Sequence, residues 1–192
     1  TIHRMTSFLR RSDNADNSSE EESTFAYPAL ARMTDEVMTF PDIIRQTDRI
    51  LDKFGRIKDN ASDHLFTIRQ ELARTEGSIS KTLNSILRAA QSDGLVEKDV
   101  APTMRDGRLV IPIAPALKKK IKGIVHDESA TGKTVFVEPA EVVEANNKVR
   151  ELEAEERREI IRILTDITDI VRPHVKEILR SYVFMGQIDN VH

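Results

Sequence analysis

Apolar side chains recur at helical spacing over two long stretches of this chain. From Leu65 the pattern steps through Leu65, Ile68, Leu72, Thr75, Ile79, Leu83, Ile86 and Ala90, and every step is three or four residues. Positions so spaced fall on one face of an α-helix, the stripe with which a helix packs along another helix. Asn60 with Asp63 three residues later marks a start and Gly94 a stop, which predicts a first long helix within residues 60–99. At 1.5 Å rise per residue it would be roughly 48 Å long, too long to stand without a partner. A second pattern opens at Pro139, a residue suited to a first helical turn, and carries Val142, Val149, Leu152, Ile160, Ile163, Ile167, Ile170, Val175, Ile178 and Tyr182. Pro173 interrupts it and predicts a kink near Asp169–Pro173. The second pattern outruns the first, so its end is expected to pass back toward residues 1–60.

Between the helices the period changes. Arg108–Ile113 reads as a strand after an Asp106-Gly107 turn, with Pro112 confining it to an edge. Ile121–His126 and Thr134–Val137 are further strand candidates, joined by residues 127–133. Upstream of the first long helix the signals are short: helices at Ile2–Arg11, Tyr27–Arg32 and Ile43–Leu51, an acidic run at residues 12–24, and a turn centred on Gly55. The expected fold is mainly α: short N-terminal helices and a hairpin in residues 1–59, the first long helix in 60–99, a small basic β element in 100–138 at the distal end, and the second long helix in 139–192 returning antiparallel to the first. Thr75 and Glu156 are polar members of the two seams. Each either turns to solvent or is buried to fix register.

Composition narrows the function classes. Charged residues make up 32% of the chain and aromatics 5%, with no Trp, a balance that suits long solvated helices better than a thick core. The net charge of −3 makes no demand for a nucleic-acid partner, so any such contact must come from a local patch. The absence of Cys excludes disulfides and thiolate metal sites and fits the cytoplasm. The longest apolar stretch, Leu109–Leu117, is nine residues with two prolines and cannot span a bilayer, so no membrane partner is expected. The chain begins with Thr and ends at Asn190-Val191-His192 without a closing element, which suggests a piece of a longer protein.

No catalytic constellation emerges. Thr131-Gly132-Lys133-Thr134 imitates the end of a phosphate-binding loop, but Asp127 stands where the first Gly is needed and Val135-Phe136-Val137 reads as strand instead of helix. His126-Asp127-Glu128 sets a base beside two acids with no nucleophile in pattern, and a hydrogen-bonded turn is expected there. The five histidines show no metal-ligand spacing. One cluster remains: Arg105, Arg108, Lys118, Lys119, Lys120 and Lys122 lie within 18 residues, countered only by Asp106. Such a run is either a solvated loop or a contact to a phosphate backbone. No aromatic alternates with these bases, so stacking on single-stranded bases is poorly supported.

The stretch Gly107–Ile113, then Gly123–Gly132 and Thr134–Pro139, resembles the core and lever region of the MutS-two branch of the MutS family. Asp59-Asn60-Ala61-Ser62 and Val143-Glu144-Ala145-Asn146-Asn147 add to the likeness, which covers residues 25–192. The resemblance implies that the two long helices are levers feeding an ATPase outside this chain, which would bind ATP and Mg and form the homodimer. It implies a parent with a C-terminal endonuclease domain that binds branched DNA to suppress recombination, or stalled ribosomes to rescue them. Neither activity is expected of these 192 residues themselves. His126, Asp127, Ser129, Thr131, Gly132, Glu138 and Pro139 are the motif residues, expected to form a structural turn more than a binding site. The competing expectation is a coiled-coil spacer or dimerisation module with no nucleic-acid contact.

Overall fold

The computed structural model describes residues 2–9, 32, 34–35 and 37–189. The acidic run at 12–24 and, Arg32 apart, the helix expected at Tyr27–Arg32 lie outside the described residues. The chain forms two compact units, Ile57–Arg162 and Thr1–Arg56 with Ile163–His192. The described helices are α1 (Ile2–Leu9), α2 (Pro41–Ile50), α3 (Asp63–Ser92), α4 (Val143–Val171) and α5 (Val175–Asp189). Four strands, β1 (Thr103–Arg105), β2 (Arg108–Ile113), β3 (Gly123–Glu128) and β4 (Val135–Pro139), form one antiparallel sheet in the order β1-β2-β4-β3. Among the described residues no helix is long and apolar enough to cross a membrane.

In the unit Ile57–Arg162, α3 starts where a side chain can satisfy its first amides. Ser62 is the cap, its Oγ accepting from Leu65 N at 3.0 Å, so the start signal lies two residues after the Asn60 expected from sequence. The helix stops in a Schellman turn. Leu95 N reaches Ala90 O at 2.8 Å, Gly94 N reaches Gln91 O at 3.1 Å, and Gly94 takes φ +69°. Leu65, Ile68, Ile79, Leu83 and Ala90 of the sequence stripe are buried, and Leu87, outside that stripe, is buried with them.

Polar links fix how α3 and α4 run. Ser62 donates to Glu159 (2.6 Å), His64 Nε2 stands 3.2 Å from Glu155, Arg69 donates to Glu156 (2.7 Å), and Lys148 lies 3.6 Å from Glu71. From Ser62–Glu159 to Glu71–Lys148 the partner on α4 moves back toward that helix's start as α3 advances, so the two are antiparallel over the first half of α3. Glu156 is therefore a cross-helix ion-pair residue that is three-quarters buried, and Thr75 returns its hydroxyl to Glu71 O at 2.8 Å within its own helix. The second half of α3 has a different neighbour. Ile79, Leu83 and Leu87 cluster with Ile111, Ile113, Val135 and Val137 of the sheet and with Val142 and Val149. The sheet thus lies along the flank of α3, where sequence alone set it beyond paired helices.

β1 and β2 turn at Asp106-Gly107, both with positive φ (+49° and +71°), the geometry that matches a right-twisted hairpin. Pro112 stands in a strand with neighbours on both sides, yet it keeps to an edge. β1 ends opposite Val110, so at Pro112 only β4 is paired. β3 is the outer strand on the other side, and five of its six residues are exposed. Here the expected turn at His126-Asp127-Glu128 is corrected: these residues end β3, and the turn is residues 129–134. The pairing with β4 jumps between Val125 and Asp127, so His126 is a bulge residue.

In the unit Thr1–Arg56 with Ile163–His192, Asp52 folds the predicted turn around Gly55: its Oδ1 accepts from Phe54 N (2.8 Å) and Arg56 N (2.9 Å). A short 3-10 segment, Arg172–His174, separates α4 from α5 at the proline that predicted a kink. Ser181 on α5 is buried and donates to Met38 O at 3.0 Å, and the His174 ring meets Phe40 at 5.3 Å between centroids. Ile163 and Phe184 are buried, but Ile170, Val175 and Tyr182, expected on the inward face, are exposed.

Candidate nucleic-acid interface

Four of the six basic candidates are held out to solvent by the fold itself. Pro115–Lys119 is a 3-10 turn, followed by Lys120, Ile121, Lys122 and then β3. Leu117 and Ile121 tuck against the hydrophobic cluster, one helical turn apart, and pin the segment at both ends. The side chains between and beyond them, Lys118, Lys119, Lys120 and Lys122, are exposed, and none makes an ion pair with a described residue. This is a compact positive patch on an anchored support, with ammonium groups available to an anionic partner.

Arg105 and Arg108 are occupied differently. The Arg105 guanidinium stacks over the Phe136 ring at 4.0 Å and lies 3.4 Å from Asp127. Arg108 faces inward, its side chain 15% exposed, and donates to Glu138 (2.7 Å) and to Asn147 Oδ1 (2.6 Å). The structure therefore brings together the four lysines on one segment and places both arginines on the sheet's other contacts.

Behind the patch is a buried polar network centred on Glu138, which is fully buried on β4. Its carboxylate accepts from Arg108 (2.7 Å), from Asn146 Nδ2 (2.8 Å), and from His126 Nε2 (2.5 Å). Burial alone would raise this carboxyl, but the hydrogen bonds from His126, Arg108 and Asn146 outweigh it and hold its pKa below the ordinary 4.5. The bulge explains the His126 bond: an extra residue in β3 re-aims its side chain toward the neighbouring strand.

Asn146 does a second job. The β2–β4 register would set Leu109 opposite Pro139, which has no N–H to give. The Asn146 carboxamide replaces the missing strand, donating to Leu109 O (3.2 Å) and accepting from Leu109 N (3.3 Å). Neither Asn146 nor Asn147 stood among the sequence candidates. The available signal was Asn146 falling in step between Val142 and Val149, a polar residue at a buried helix position.

The remaining motif residues close the β3–β4 turn. Ser129 N donates to Thr134 O (2.8 Å), Ser129 Oγ accepts from Thr134 N (3.0 Å), and Gly132 N donates to Ser129 O with φ +67°. Thr131 is exposed, its hydroxyl 3.5 Å from that of Ser129, and Asp127 Oδ1 accepts from Glu128 N (2.8 Å). Thr131-Gly132-Lys133-Thr134 thus joins two strands, without the following helix whose amides would cradle a phosphate. Gly123 is needed where β3 meets Pro139, since a Cβ there would run into the backbone of Glu138 and lie 2.9 Å from Pro139 Cα. Among the described residues no group of His, Asp and Glu is arranged to hold a metal.

Comparison with known proteins places this arrangement. No family model matches the chain. It is 37% identical over 170 residues to a protein of Geobacillus sp. named Endonuclease MutS2, a match covering 88% of this chain and 21% of the relative. Relatives of the same name from Levilactobacillus brevis and Finegoldia magna are 40% and 44% identical, covering 85% and 75% of this chain and 20% and 18% of theirs. The chain is thus similar over most of its length to a segment of these proteins and spans about a fifth of the length of the relatives it matches.

Proposed function

We propose that these 192 residues are the non-catalytic core and lever part of a MutS-two-type DNA-binding protein, and that Lys118, Lys119, Lys120 and Lys122 touch nucleic-acid phosphates. The observation that carries this reading is the lysine segment pinned by Leu117 and Ile121: four exposed cations without an ion-pair partner among the described residues, beside a sheet whose two arginines are held by Asp127 and Glu138. An incidental solvated loop has no need of two apolar anchors. Lysine contacts of this kind give sequence-independent affinity by releasing counterions, which suits a protein that recognises the shape of branched DNA or of a stalled ribosome. The likeness to proteins named Endonuclease MutS2 supports the parent being a nuclease; the ATP, the Mg and the dimeric ATPase of this reading would lie outside these residues.

In this reading the paired helices transmit motion. A nucleotide-driven change elsewhere would swing α3 and α4 as levers and carry the sheet toward or away from nucleic acid, with recombination suppression or ribosome rescue as the outcome. The Glu138 network serves it indirectly, by locking the sheet to the start of α4 so that helix motion reaches the lysines. The test is charge reversal at all four lysines in the full-length protein, followed by binding to branched DNA and to ribosomes. Loss of binding with normal folding supports the reading. Unchanged binding, with self-association that ignores DNA, would return the chain to the spacer alternative.

A further inference from the structure

Residues 52–56 form a turn whose shape is fixed from inside. Asp52 Oδ1 accepts from Phe54 N (2.8 Å) and Arg56 N (2.9 Å), Asp52 N donates to Arg56 O (2.9 Å), and Gly55 N donates to Asp52 O (3.0 Å). Gly55 takes φ +76°, a left-handed backbone that glycine adopts without steric cost. The one acid of the turn is thereby spent on backbone amides. What the turn presents outward is a ring between two cations. Phe54 is 70% exposed, with Lys53 Nζ 4.9 Å and the Arg56 guanidinium carbon 5.7 Å from its centroid. Lys53 and Arg56 are themselves exposed, and neither makes an ion pair with a described residue. A ring so little buried adds little to folding stability, yet the turn holds it out on a rigid support.

We infer that Phe54 is a stacking platform for an unpaired base of a bound nucleic acid, with Lys53 and Arg56 on the flanking phosphates. An aromatic face beside flexible cations is the combination that holds single strands. The ring stacks on a base of any identity, and the cations follow the backbone. Residues 118–122 offer cations with no aromatic among them, so they reach phosphates alone. The turn supplies a ring. Two magnitudes decide whether a base can take the place of the turn's own cations. An exposed cation over a ring favours the closed arrangement by about two- to fivefold. A stacked base is worth about five- to a hundredfold, so the base wins the face and the displaced lysine is released onto phosphate. A protein partner fits poorly, because one ring covers about 150–250 Å2 against the roughly 800 Å2 per partner of a stable interface. The inference rests on the parent binding nucleic acid, and adds unpaired nucleotides to what it takes.

The test titrates the full-length protein against a short single-stranded oligodeoxynucleotide carrying one 2-aminopurine, and against its fully paired duplex. Stacking predicts quenched 2-aminopurine emission in the wild-type complex with the single strand. Phe54→Leu keeps apolar bulk and removes the π face. It is expected to weaken single-strand binding about fivefold or more, to relieve the quenching, and to leave duplex affinity unchanged. Phe54→Trp is expected to retain both affinity and quenching. Both substitutions leave the backbone bonds of the turn in place. Unchanged single-strand affinity and quenching in Phe54→Leu would overturn the inference, as would an equal loss on single strand and duplex. Wild-type protein that binds neither probe would sink it together with the reading it rests on. Changing Lys118, Lys119, Lys120 and Lys122 to Gln separates the two sites. If that variant keeps duplex affinity while Phe54→Leu loses the single strand, the lysine contact fails and the platform stands. The reverse pattern overturns the platform and leaves the lysines.

Discussion

Replacing Arg108 by Met keeps an unbranched chain of similar length and removes the guanidinium that lies 2.7 Å from Glu138. Glu138 is fully buried, so its carboxylate cannot recover the lost partner from water. His126 and Asn146 remain, but Asn146 is already committed to the Leu109 backbone. Breaking a buried pair by removing one partner costs about 3–5 kcal/mol, whereas an exposed pair costs about 0–1 kcal/mol. The residual His126 bond places the expected loss near the lower bound, about 3 kcal/mol. Urea unfolding followed by circular dichroism, with wild type and variant at the same pH, measures it. Glu138→Gln in the Arg108→Met background removes the stranded charge and should restore a good part of the loss, so the two changes are coupled. A loss under about 1 kcal/mol, or simple additivity of the two changes, would show that Glu138 is solvated and refute the buried-network reasoning.

Other consequences follow from neighbouring contacts. Gly123→Ala should destabilise the unit Ile57–Arg162 strongly, because the new Cβ meets backbone at Glu138 and Pro139, which cannot rotate away; a thermal melt matching wild type would contradict this. Glu159 has its carboxyl lowered to about 2, first by the Arg162 hydrogen bond and then, against burial, by that from Ser62. A depressed folded-state value means this contribution is complete above the ordinary 4.5 and is lost as pH falls from there toward about 2. Ser62→Ala should flatten that part of the stability–pH curve and cost about 1 kcal/mol at neutral pH through the lost helix cap. Nuclear magnetic resonance titration of Glu159 checks the direction: a midpoint at or above the ordinary value would be inconsistent with the geometry.

What could be read from sequence was whatever depends on local periodicity and local stereochemistry. The stripe from Leu65 to Ala90 named most of the buried face of α3, Gly94 marked its stop, and Asp106-Gly107 marked the hairpin, since each reports backbone geometry within a few residues. Pro173 located the 3-10 break for the same reason. Long-range pairing left weaker traces. Sequence cannot say that the second half of α3 packs on the sheet, because a stripe has the same period whether a helix or a sheet packs on it; Leu87, buried with the sheet residues, falls outside the stripe on that account.

The arginines show the same limit in the candidate site. Arg105 and Arg108 look like Lys118–Lys120 in a charge count, but β-pairing sets them beside Phe136 and Glu138, partners about thirty residues away. Glu138 itself was flagged only through a resemblance, and the bulge at His126 has no composition of its own to announce it. On α5 the period alone does not say which face is inside, and Val175 and Tyr182, expected inward, are exposed.

The phosphate contact by the lysine segment is tested most directly by the salt dependence of binding to branched duplex DNA by the full-length protein. Each phosphate neutralised contributes about 0.9 to the slope of log affinity against log salt. With Lys118, Lys119, Lys120 and Lys122 changed to Gln, the account predicts weaker binding at low salt and a slope shallower by about 2–4. A variant that retains both the wild-type slope and the wild-type affinity would contradict it.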